Sequence, residues 1–382
     1  SMGLLGLRGS IPTALGTLAS LTNLILRSNN LEGPIPASFS ALTGLVYLEL
    51  QHNALSGSIP DAISHMTALR GLYLPDNRLS GTIPPAIGAL TALQDLYLAG
   101  NKLSGAIPPA ISNLTDLTRL HLSYNQLSGA IPYAMVGLTS LQYLHLSNNQ
   151  LSGAIHPGIG ALRALQELSL SHNVLSDTIP TTLSRLVRLQ YLFLDYNNLS
   201  SSIPNDLSTL TNLIYLSMAD NKFEGTIPAF LSSFTALTYL DLSNNNLSGT
   251  IPPFISELLS LTALNLNGNA LESPIPQALT ALSDLYFLDL SKNKFSEDFP
   301  TVFTAMKQVE HMKLSHNNFT GSIDSITSLF SLTYLDLGYT LLAGTIPTAI
   351  TKMQHLSRLD LRIPTLTGSV PASMGAMLNL QY

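Results

Sequence analysis

The amino-acid sequence predicts an α/β repeat solenoid, in which short parallel strands stack into one sheet and a short turn follows each strand. Three observations support this prediction: an asparagine that recurs at a fixed interval, a Leu-x-Leu segment before it and an Ile-Pro pair after it. A chain of 382 residues would ordinarily suggest more than one domain. Because repeat proteins grow by adding units to one stack, we expect a single domain over residues 1–382.

The recurring asparagine sets the length of the repeat. The members of this column are Asn29, Asn53, Asn77, Asn101, Asn125, Asn149, Asn173, Asn197, Asn221, Asn245, Asn269, Asn293 and Asn317. Successive members are 24 residues apart, and the column continues after 23 residues at Thr340 and after a further 24 at Pro364. We therefore expect about 15 coils of 24 residues, with incomplete repeats at both ends of the chain.

Each part of the repeat has a structural role. In the segment Leu72–Leu74 the two leucines point into the core and the residue between them points outward, as in a short strand. The asparagine amide can donate to and accept from backbone groups of neighbouring coils, which buried turns would otherwise leave unpaired. Gly81 permits a bend and Pro84 fixes φ. Apolar residues three apart in 87–93 predict a short 3₁₀ or helical turn on the opposite side.

The composition excludes several classes of protein and site. The net charge is -6 and the few lysines and arginines form no run, which argues against a nucleic-acid partner. The absence of cysteine excludes a disulfide framework, a thiol nucleophile and a cysteine-ligated metal. No stretch reaches the roughly 18–20 apolar residues of a membrane helix, so we expect no direct membrane insertion. Ser1–Gly3 resemble a cloning scar, so the lack of a signal peptide says little about secretion.

These motifs resemble the signature of the plant-type leucine-rich-repeat family, Leu-x-x-Leu-x-Leu-x-x-Asn-x-Leu-Ser-Gly-x-Ile-Pro. Residues 117–132 and 237–252 match it, and the resemblance covers almost the whole chain. It implies a superhelix with a parallel concave β-sheet, a second short strand from the Ser-Gly segment and short turns on the convex side. The chain departs from the family in lacking the cysteine pairs that usually cap such ectodomains.

The resemblance also implies a function. Proteins with this repeat are mostly ectodomains of receptor-like kinases and receptor-like proteins, secreted inhibitors of cell-wall-degrading enzymes, and a few ice-binding proteins. We therefore expect a non-catalytic, extracellular or cell-surface module of signalling or immunity. Its concave face is expected to bind a protein or peptide, with a co-receptor as a further partner and no cofactor. The alternatives are a secreted effector or enzyme inhibitor that mimics plant leucine-rich-repeat receptors, and an ice-binding or structural solenoid.

Catalysis has no support in the sequence. Serine, histidine and aspartate are plentiful, yet they fall on repeat positions and form neither a nucleophile elbow nor a phosphate-binding loop. We therefore expect that the chain is not an enzyme.

The register of the strands predicts which residues face outward and meet a ligand. Exposed aromatic residues are typical of binding hot spots. The predicted ligand-binding residues are Tyr73, Tyr97, His121, Tyr143, His145, Tyr191, Phe193, Tyr215 and Tyr239. The alternative interpretation is that aromatic residues at outward strand positions serve β propensity and cross-strand packing.

Two groups of charged or titratable residues have open interpretations. His121 and His145 lie one coil apart, and three interpretations are open: a solvated surface pair, a pH-sensitive contact or metal ligands. Because no carboxylate occupies their column in the adjacent coils, we expect no metal. The same column turns acidic further on, which suits either a basic peptide or solubility. Its acidic members are Asp241, Asp289, Asp336 and Asp360. Receptors of the resembled family often bind a ligand's carboxylate through paired arginines, a pattern that Arg358 and Arg362 match loosely.

Four sequons allow N-glycosylation, at Asn113, Asn198, Asn246 and Asn318. Three of them arise within the repeat motif itself, so they permit glycosylation without demonstrating secretion.

Overall fold

The computed structural model describes residues 2–381 and confirms the predicted α/β repeat solenoid of parallel strands and short 3₁₀ turns. The chain divides into two compact units, unit 1 through Leu199 and unit 2 from Ser200 onward. In each unit we call the sheet of Leu-x-Leu strands the principal sheet, and the sheet of strands that follow the recurring asparagine the second sheet. The second strand agrees with the expectation from the family resemblance.

Unit 1 repeats the order principal strand, second strand and 3₁₀ turn. Its principal strands are Asn23–Ile25, Tyr47–Glu49, Gly71–Tyr73, Asp95–Tyr97, Arg119–His121, Tyr143–His145, Glu167–Ser169 and Tyr191–Phe193. Its second strands are Arg8–Ser10, Asn30–Gly33, Ala54–Gly57, Arg78–Gly81, Lys102–Gly105, Gln126–Gly129, Gln150–Ala154, Val174–Asp177 and the first half of Asn198–Ser201. Its 3₁₀ turns are Thr13–Thr17, Ala37–Ala41, Asp61–His65, Pro85–Ala89, Pro109–Asn113, Tyr133–Gly137, Pro157–Ala161 and Thr181–Arg185.

Unit 2 continues the same order with more variation. Its principal strands are Tyr215–Ser217, Tyr239–Asp241, Ala263–Asn265, Phe287–Asp289, His311–Lys313, Tyr334–Asp336 and Arg358–Asp360. Its second strands are Lys222–Thr226, Asn246–Thr250 and Ala270–Glu272, with a separate pair Gly344–Thr345 and Leu366–Thr367. Its 3₁₀ turns are Asn205–Thr209, Ala229–Ser233, Pro253–Glu257, Gln277–Ala281, Asp324–Ser328, Thr348–Lys352 and Ala372–Ala376, and Thr301–Ala305 is a short α-helix.

The two sheets have different registers. In the principal sheet a residue pairs with the residue 24 positions later, as Leu72 does with Leu96. In the second sheet the partner is 22 positions later, as for Ser56 and Arg78. Residues at equal repeat positions are therefore direct neighbours on the principal sheet, whereas the second strands are staggered. The outward columns that the sequence predicted for the principal sheet are thus rows of adjacent side chains.

The core lies between the principal sheet and the turns. Leu72 and Leu74 of a principal strand and Ile87 of the next turn are each 0% exposed. Full burial of one such side chain contributes about 1.5–3 kcal/mol, and the repeat multiplies this contribution coil by coil. In unit 2 phenylalanine also takes the position of Leu79, two residues after the recurring asparagine, and the ring centroids of Phe295 and Phe319 lie 6.0 Å apart.

The recurring asparagines form a hydrogen-bonded ladder. Asn77, for example, donates from Nδ2 to the carbonyl oxygens of Leu50 (3.0 Å) and Leu74 (3.1 Å) and accepts at Oδ1 from the backbone N–H of Leu55 (3.0 Å). These backbone groups belong to two successive coils, and the chain bends away from the sheet there, so no strand partner is available to them. Thr340, which takes the ladder position later in the chain, donates to the Leu337 carbonyl oxygen at 2.9 Å.

From Asn29 to Thr340, the residue before each ladder position has a left-handed backbone conformation, a feature that the sequence analysis did not predict. The φ angle is 55° at His52, 53° at Asp76 and 56° at Tyr124. Non-glycine residues adopt this region rarely because Cβ approaches the following carbonyl oxygen. We call this row the tip column. In two coils glycine occupies it, as Gly100 and Gly268.

The step of 23 residues between Asn317 and Thr340 changes the structure of a single turn. The residue before a 3₁₀ turn is usually an extended proline, whereas Ile323, which precedes Asp324–Ser328, has φ -84° and ψ 2°. The flanking principal strands still pair in register, His311 with Tyr334. The missing residue therefore changes the turn and leaves the principal sheet intact.

Candidate functional site

The outer face of the principal sheet in unit 1 carries a row of adjacent rings. Tyr73, Tyr97, His121 and His145 occupy the same outward position of four successive strands. Their ring centroids are separated by 5.1, 4.2 and 4.0 Å in that order. We call these four residues the ring ladder. Tyr97 and His121 are stacked with an interplanar angle of 18°, while Tyr73 and His145 are tilted against them by 32° and 53°. Since each inner ring has a neighbouring ring on both sides, a ligand would meet the ring edges.

Gly71 allows Tyr73 to lie where it does. A Cβ atom at Gly71 would be 2.5 Å from Cε2 of Tyr73 and 2.8 Å from Cδ1 of Tyr47, closer than such atoms approach. The two tyrosine rings therefore converge over the glycine. At this position the other strands of unit 1 carry a side chain, so Gly71 is the one place where a ring can cross from one outward column towards the next.

Asp95 and Arg119 form the polar flank of the ring ladder. The Asp95 carboxylate accepts from the Tyr73 hydroxyl at 2.7 Å and from Nη1 of Arg119 at 3.1 Å. The Arg119 guanidinium also lies 5.6 Å from the centroid of the Tyr143 ring. Burial, followed by the hydrogen bond to Asp95, raises the pKa of the Tyr73 phenol. The aspartate and the arginine thus compensate each other's charge.

The two histidines belong to the packed stack and are not a solvated pair. Burial, reinforced by the neighbouring His145, lowers the pKa of His121 from 6.5 to about 4, so His121 is neutral at neutral pH. His145 Nε2 lies 3.0 Å from Glu167 Oε1. The two atoms are close enough for an ion pair, but their angles do not suit a hydrogen bond, and the buried nitrogen has no hydrogen-bond partner. Glu167 is the first residue of its principal strand and therefore lies in a different outward column from His145. The sequence analysis compared the histidines only with residues of their own column.

The remaining predicted residues lie on the same face of their own units. In unit 1 the Tyr143 hydroxyl donates to Gln166 Oε1 at 3.3 Å, and Tyr191 and Phe193 are half-buried on the strand that follows Glu167–Ser169. In unit 2 Tyr215 and Tyr239 stack at a centroid distance of 4.1 Å and an interplanar angle of 3°. Within each unit the outward register therefore brings the predicted aromatic residues together, while their role in binding stays a prediction.

The acidic column of unit 2 has a structural role that neither sequence interpretation anticipated. A carboxylate oxygen of each aspartate accepts the backbone N–H two residues later, at 2.9 Å for Asp241, 3.0 Å for Asp289 and Asp336 and 3.1 Å for Asp360. Asp241 and Asp289 are only 8% and 5% exposed. Each of these aspartates closes the turn that follows its strand, as in an Asx turn. Asp241 and Asp289 are in addition buried from solvent.

The paired-arginine interpretation does not fit the geometry. Arg362 Nε donates to Asp360 Oδ1 at 2.9 Å, and this pairing lowers the pKa of the Asp360 carboxyl. Arg358 instead lies over the Tyr334 ring, with its guanidinium carbon 5.1 Å from the centroid. One arginine of the pair is thus engaged by the carboxylate two residues before it.

Ser171, His172 and Asp195 come together without forming a catalytic arrangement. The Ser171 hydroxyl donates to Asp195 Oδ1 at 2.6 Å, while His172 Nε2 is 3.9 Å from Asp195 Oδ2. The aspartate separates the hydroxyl from the imidazole, whereas nucleophilic catalysis needs the base beside the hydroxyl. Among residues 2–381, no group of three or more His, Cys, Asp or Glu side chains is arranged to hold a metal ion.

Family and structure comparisons agree with this architecture. The Leucine rich repeat family model matches residues 19–79, 86–151, 154–199, 235–295 and 283–342, and a model for two copies of the repeat matches 211–256. These matches cover well over half of the chain. The chain belongs to the plant-type leucine-rich-repeat family. Several solved structures of plant receptors are similar to this leucine-rich-repeat chain.

The plant peptide hormone receptor RGFR1, solved in complex with RGF2, is 33% identical with a TM-score of 0.87, over 96% of this chain and 62% of that one. A TDR receptor is 32% identical with a TM-score of 0.89, over 97% and 65%. The Arabidopsis receptor kinase HAESA, in complex with the peptide hormone IDA and the co-receptor SERK1, is 32% identical with a TM-score of 0.69, over 98% and 71%.

This leucine-rich-repeat chain spans slightly less than two thirds of the length of the first two receptors, 62% and 65%. A search of curated proteins by sequence found no match. Within residues 2–381, no helix has both the length and the apolar character needed to span a membrane. All four sequon asparagines, Asn113, Asn198, Asn246 and Asn318, are exposed.

Two groups of exposed or half-exposed aromatic residues lie outside the predicted footprint of this leucine-rich-repeat chain. In the tip column, Tyr124 is 64% exposed, and His316 stacks on Tyr339 at 4.5 Å. On the principal sheet of unit 2, Lys313 Nζ lies 5.3 Å from the Phe287 centroid and 5.6 Å from that of Tyr334. The tip column could have been found from its position immediately before each ladder asparagine.

Proposed function

We propose that this chain is a non-catalytic recognition module that binds an extended peptide or protein segment through the outer face of the principal sheet. The observation that carries the proposal is the ring ladder of unit 1 and its flanking residues, a row of ordered aromatic edges. The comparisons support a peptide as the ligand, since the similar receptors RGFR1 and HAESA were solved in complex with RGF2 and with the peptide hormone IDA.

The ring ladder is suited to binding because its rings are already ordered. Ring contacts at centroid distances of 4.0–5.1 Å fix each ring against the next, and the Tyr73 hydroxyl is held by Asp95. Ordering a free side chain at an interface costs roughly 0.5–1.5 kcal/mol, so rings that are ordered beforehand lose less freedom when a ligand binds. The ladder therefore combines apolar area with a low entropic cost.

The charges beside the ladder indicate which ligand chemistry it favours. Asp95 is paired with Arg119, and Glu167 faces His145. The Tyr97 and His121 rings at the centre of this surface are uncharged at neutral pH, since the pKa of the Tyr97 phenol is raised and that of His121 is lowered by burial. We expect the ligand segment over the ladder to be uncharged and to use backbone amides or hydroxyls at the ring edges. A charged ligand would have to break these pairs.

The test is a selection of displayed random peptides on the purified protein, followed by affinity measurements with a synthetic copy of the enriched peptide. A triple variant, Tyr73→Ala and Tyr97→Ala in the ring ladder and Tyr143→Ala beside it, should lose at least about a hundredfold in affinity, because hot-spot aromatics each contribute about 2 kcal/mol or more. Its circular dichroism spectrum should match that of the wild type.

The control variant also replaces three large apolar side chains by alanine, at positions away from the principal sheet. It combines Tyr133→Ala, Leu259→Ala and Phe330→Ala, residues that are 63%, 59% and 47% exposed. Its affinity should equal that of the wild type. If the sheet-face triple variant binds the enriched peptide as well as the control does, the proposed surface is wrong.

The proposal extends to the setting of the module. We propose an extracellular or cell-surface location and a co-receptor as a further partner; HAESA was solved with the co-receptor SERK1. Expression through a secretory pathway should yield protein whose four exposed sequons carry glycans, as a mobility shift on enzymatic deglycosylation would report. Absence of the shift would count against this setting.

A further inference from the structure

Tyr215 and Tyr239 form an unusually close pair in unit 2. They face each other directly across two principal strands. Their centroids are 4.1 Å apart and their planes differ by 3°. Both side chains are half-buried on the outer face of the sheet, so they are reachable from solvent while the strands hold their backbones in register.

Asp241 sits beside this pair as a fixed proton acceptor. The Tyr239 hydroxyl donates to Asp241 Oδ2 at 3.2 Å. Asn265 Nδ2 donates to the same oxygen at 3.0 Å and the Ser243 N–H donates to Oδ1 at 2.9 Å, so the carboxylate is held in place. Burial and the negative charge of Asp241 raise the pKa of the Tyr239 phenol, which is therefore protonated at neutral pH.

We propose that Tyr215 and Tyr239 are an oxidative cross-linking site, at which a haem peroxidase using hydrogen peroxide joins the two rings into dityrosine. The inference does not depend on the proposed function, although both residues lie in the predicted footprint. A cross-link there would fix two neighbouring coils of the recognition surface.

The chemistry balances with hydrogen peroxide as the oxidant. Each phenol loses one electron to the peroxidase and one proton, and the proton of Tyr239 passes to Asp241. The two phenoxyl radicals carry unpaired spin on the carbons ortho to oxygen, and two such carbons form the new C–C bond. Each of these carbons then releases its hydrogen as a proton while each oxygen regains one. One hydrogen peroxide takes up the two electrons and two protons and becomes two waters.

Geometry favours this pair over Tyr73 and Tyr97, the adjacent tyrosines of unit 1. Radicals formed in the Tyr215–Tyr239 stack meet without diffusion, which raises their effective concentration. Coupling then requires one ring to turn about its side-chain bonds until two ring edges meet, a motion that half-exposed rings on a sheet face allow. Tyr73 and Tyr97 lie 5.1 Å apart with a 32° tilt, and Tyr97 is also stacked on His121. That arrangement holds Tyr97 between two neighbours.

The experiment treats the whole protein at low concentration with a haem peroxidase and hydrogen peroxide, and follows dityrosine fluorescence and tryptic peptides by mass spectrometry. Cleavage after lysine and arginine places Tyr215 in peptide 189–222 and Tyr239 in peptide 223–292. We expect one cross-linked species that joins these peptides and has lost two hydrogens, with fragment ions that place the bond at Tyr215 and Tyr239.

Variants make the assignment specific. Tyr215→Phe and Tyr239→Phe should each abolish the cross-linked species, while Tyr97→Phe should leave it unchanged. Asp241→Asn keeps a turn-closing acceptor but takes up no proton, and should slow cross-linking about tenfold or more. Melting temperatures of the variants would report whether each one is folded.

Three results would overturn the inference. The first is a folded wild-type protein that gives no intramolecular cross-link. The second is cross-linked peptides that join Tyr73 with Tyr97 or exposed tyrosines of separate molecules. The third is a cross-link between the two peptides that persists in Tyr239→Phe.

Discussion

Each ladder asparagine joins two coils through one side chain, so a single residue has an effect beyond its own turn. Asn149 donates to the carbonyl oxygens of Leu122 (3.0 Å) and Leu146 (3.1 Å) and accepts from the N–H of Leu127 (3.0 Å). A shorter side chain at this position would leave the Leu122 and Leu146 oxygens with their bonds from Asn125 and Asn173, but it would remove the acceptor of the Leu127 N–H. The penalty for such an unpaired group is larger than the average value of a hydrogen bond.

We therefore expect Asn149→Ala to lower the free energy of unfolding by about 1–3 kcal/mol. The matched control is Gln150→Ala, a neighbouring exposed residue, for which a change within about 0.5 kcal/mol is expected. Urea denaturation of both variants measures the difference. Equal midpoints for the two variants would show that the ladder bonds contribute nothing net.

His121 makes the stability of the protein depend on pH. Because its folded pKa, about 4, lies below the ordinary 6.5, the unfolded chain takes up a proton at higher pH than the folded one. The stability that comes from neutral His121 is complete above pH 6.5 and is lost as the pH falls towards about 4. His145 and Arg119 lower this pKa further, while Glu167 and Asp95 oppose them.

The variant His121→Phe keeps a ring in the stack and removes the titration. It should show a smaller loss of unfolding free energy between pH 6.5 and 4 than the wild type does. His65→Phe, at an exposed histidine in a 3₁₀ turn, should leave the wild-type loss unchanged. Parallel pH profiles for the wild type and His121→Phe would rule out the proposed role of His121.

At the scale of elements, the 3₁₀ turns pack most closely where their fourth residue is glycine. In the turn Pro157–Ala161 a Cβ at Gly160 would lie 2.3 Å from the carbonyl oxygen of Thr182 in the next turn. Gly88 is in the same situation, 2.4 Å from the Ala110 oxygen. The turns with glycine therefore approach their neighbours backbone to backbone, and a methyl group there must push two coils apart.

Gly160→Ala should destabilise the protein by about 1–3 kcal/mol, the usual cost of overpacking. The control, Gly375→Ala, changes the same position of the turn Ala372–Ala376, where no atom lies within 4 Å of the new Cβ. It should be neutral or slightly stabilising, because alanine restricts the unfolded chain. Thermal unfolding measures both, and a neutral Gly160→Ala would contradict the close approach.

At the scale of the whole molecule, the 24-residue period was sufficient to predict the solenoid, the strand positions and the outward columns. A strand alternates its side chains, so the buried leucines determine which residues face outward, and the register of Leu72 and Leu96 follows from the repeat. The chemistry of the ladder asparagine likewise follows from the backbone groups that a turn leaves unpaired.

The contacts on the sheet face could not be predicted in the same way. Which way Tyr73 leans depends on the absence of a side chain at Gly71 and on the carboxylate of Asp95, both in other columns. Asp241 looked like a solvent-facing charge in the column, yet it is turned back onto the N–H of Ser243. The orientation of each side chain depends on its neighbours in other columns and in the adjacent coils. The residue types of a single column give no information about those neighbours.

The shortened coil at Asp324–Ser328 has a practical consequence for engineering. One residue fewer altered the turn, and the strands on either side kept their pairing, His311 with Tyr334. The turns are thus the part of the repeat that tolerates a change in length. An epitope or a fluorescent reporter inserted at such a turn should leave the outer face of the principal sheet undisturbed, whereas the same insertion beside a principal strand would shift the side chains that follow it.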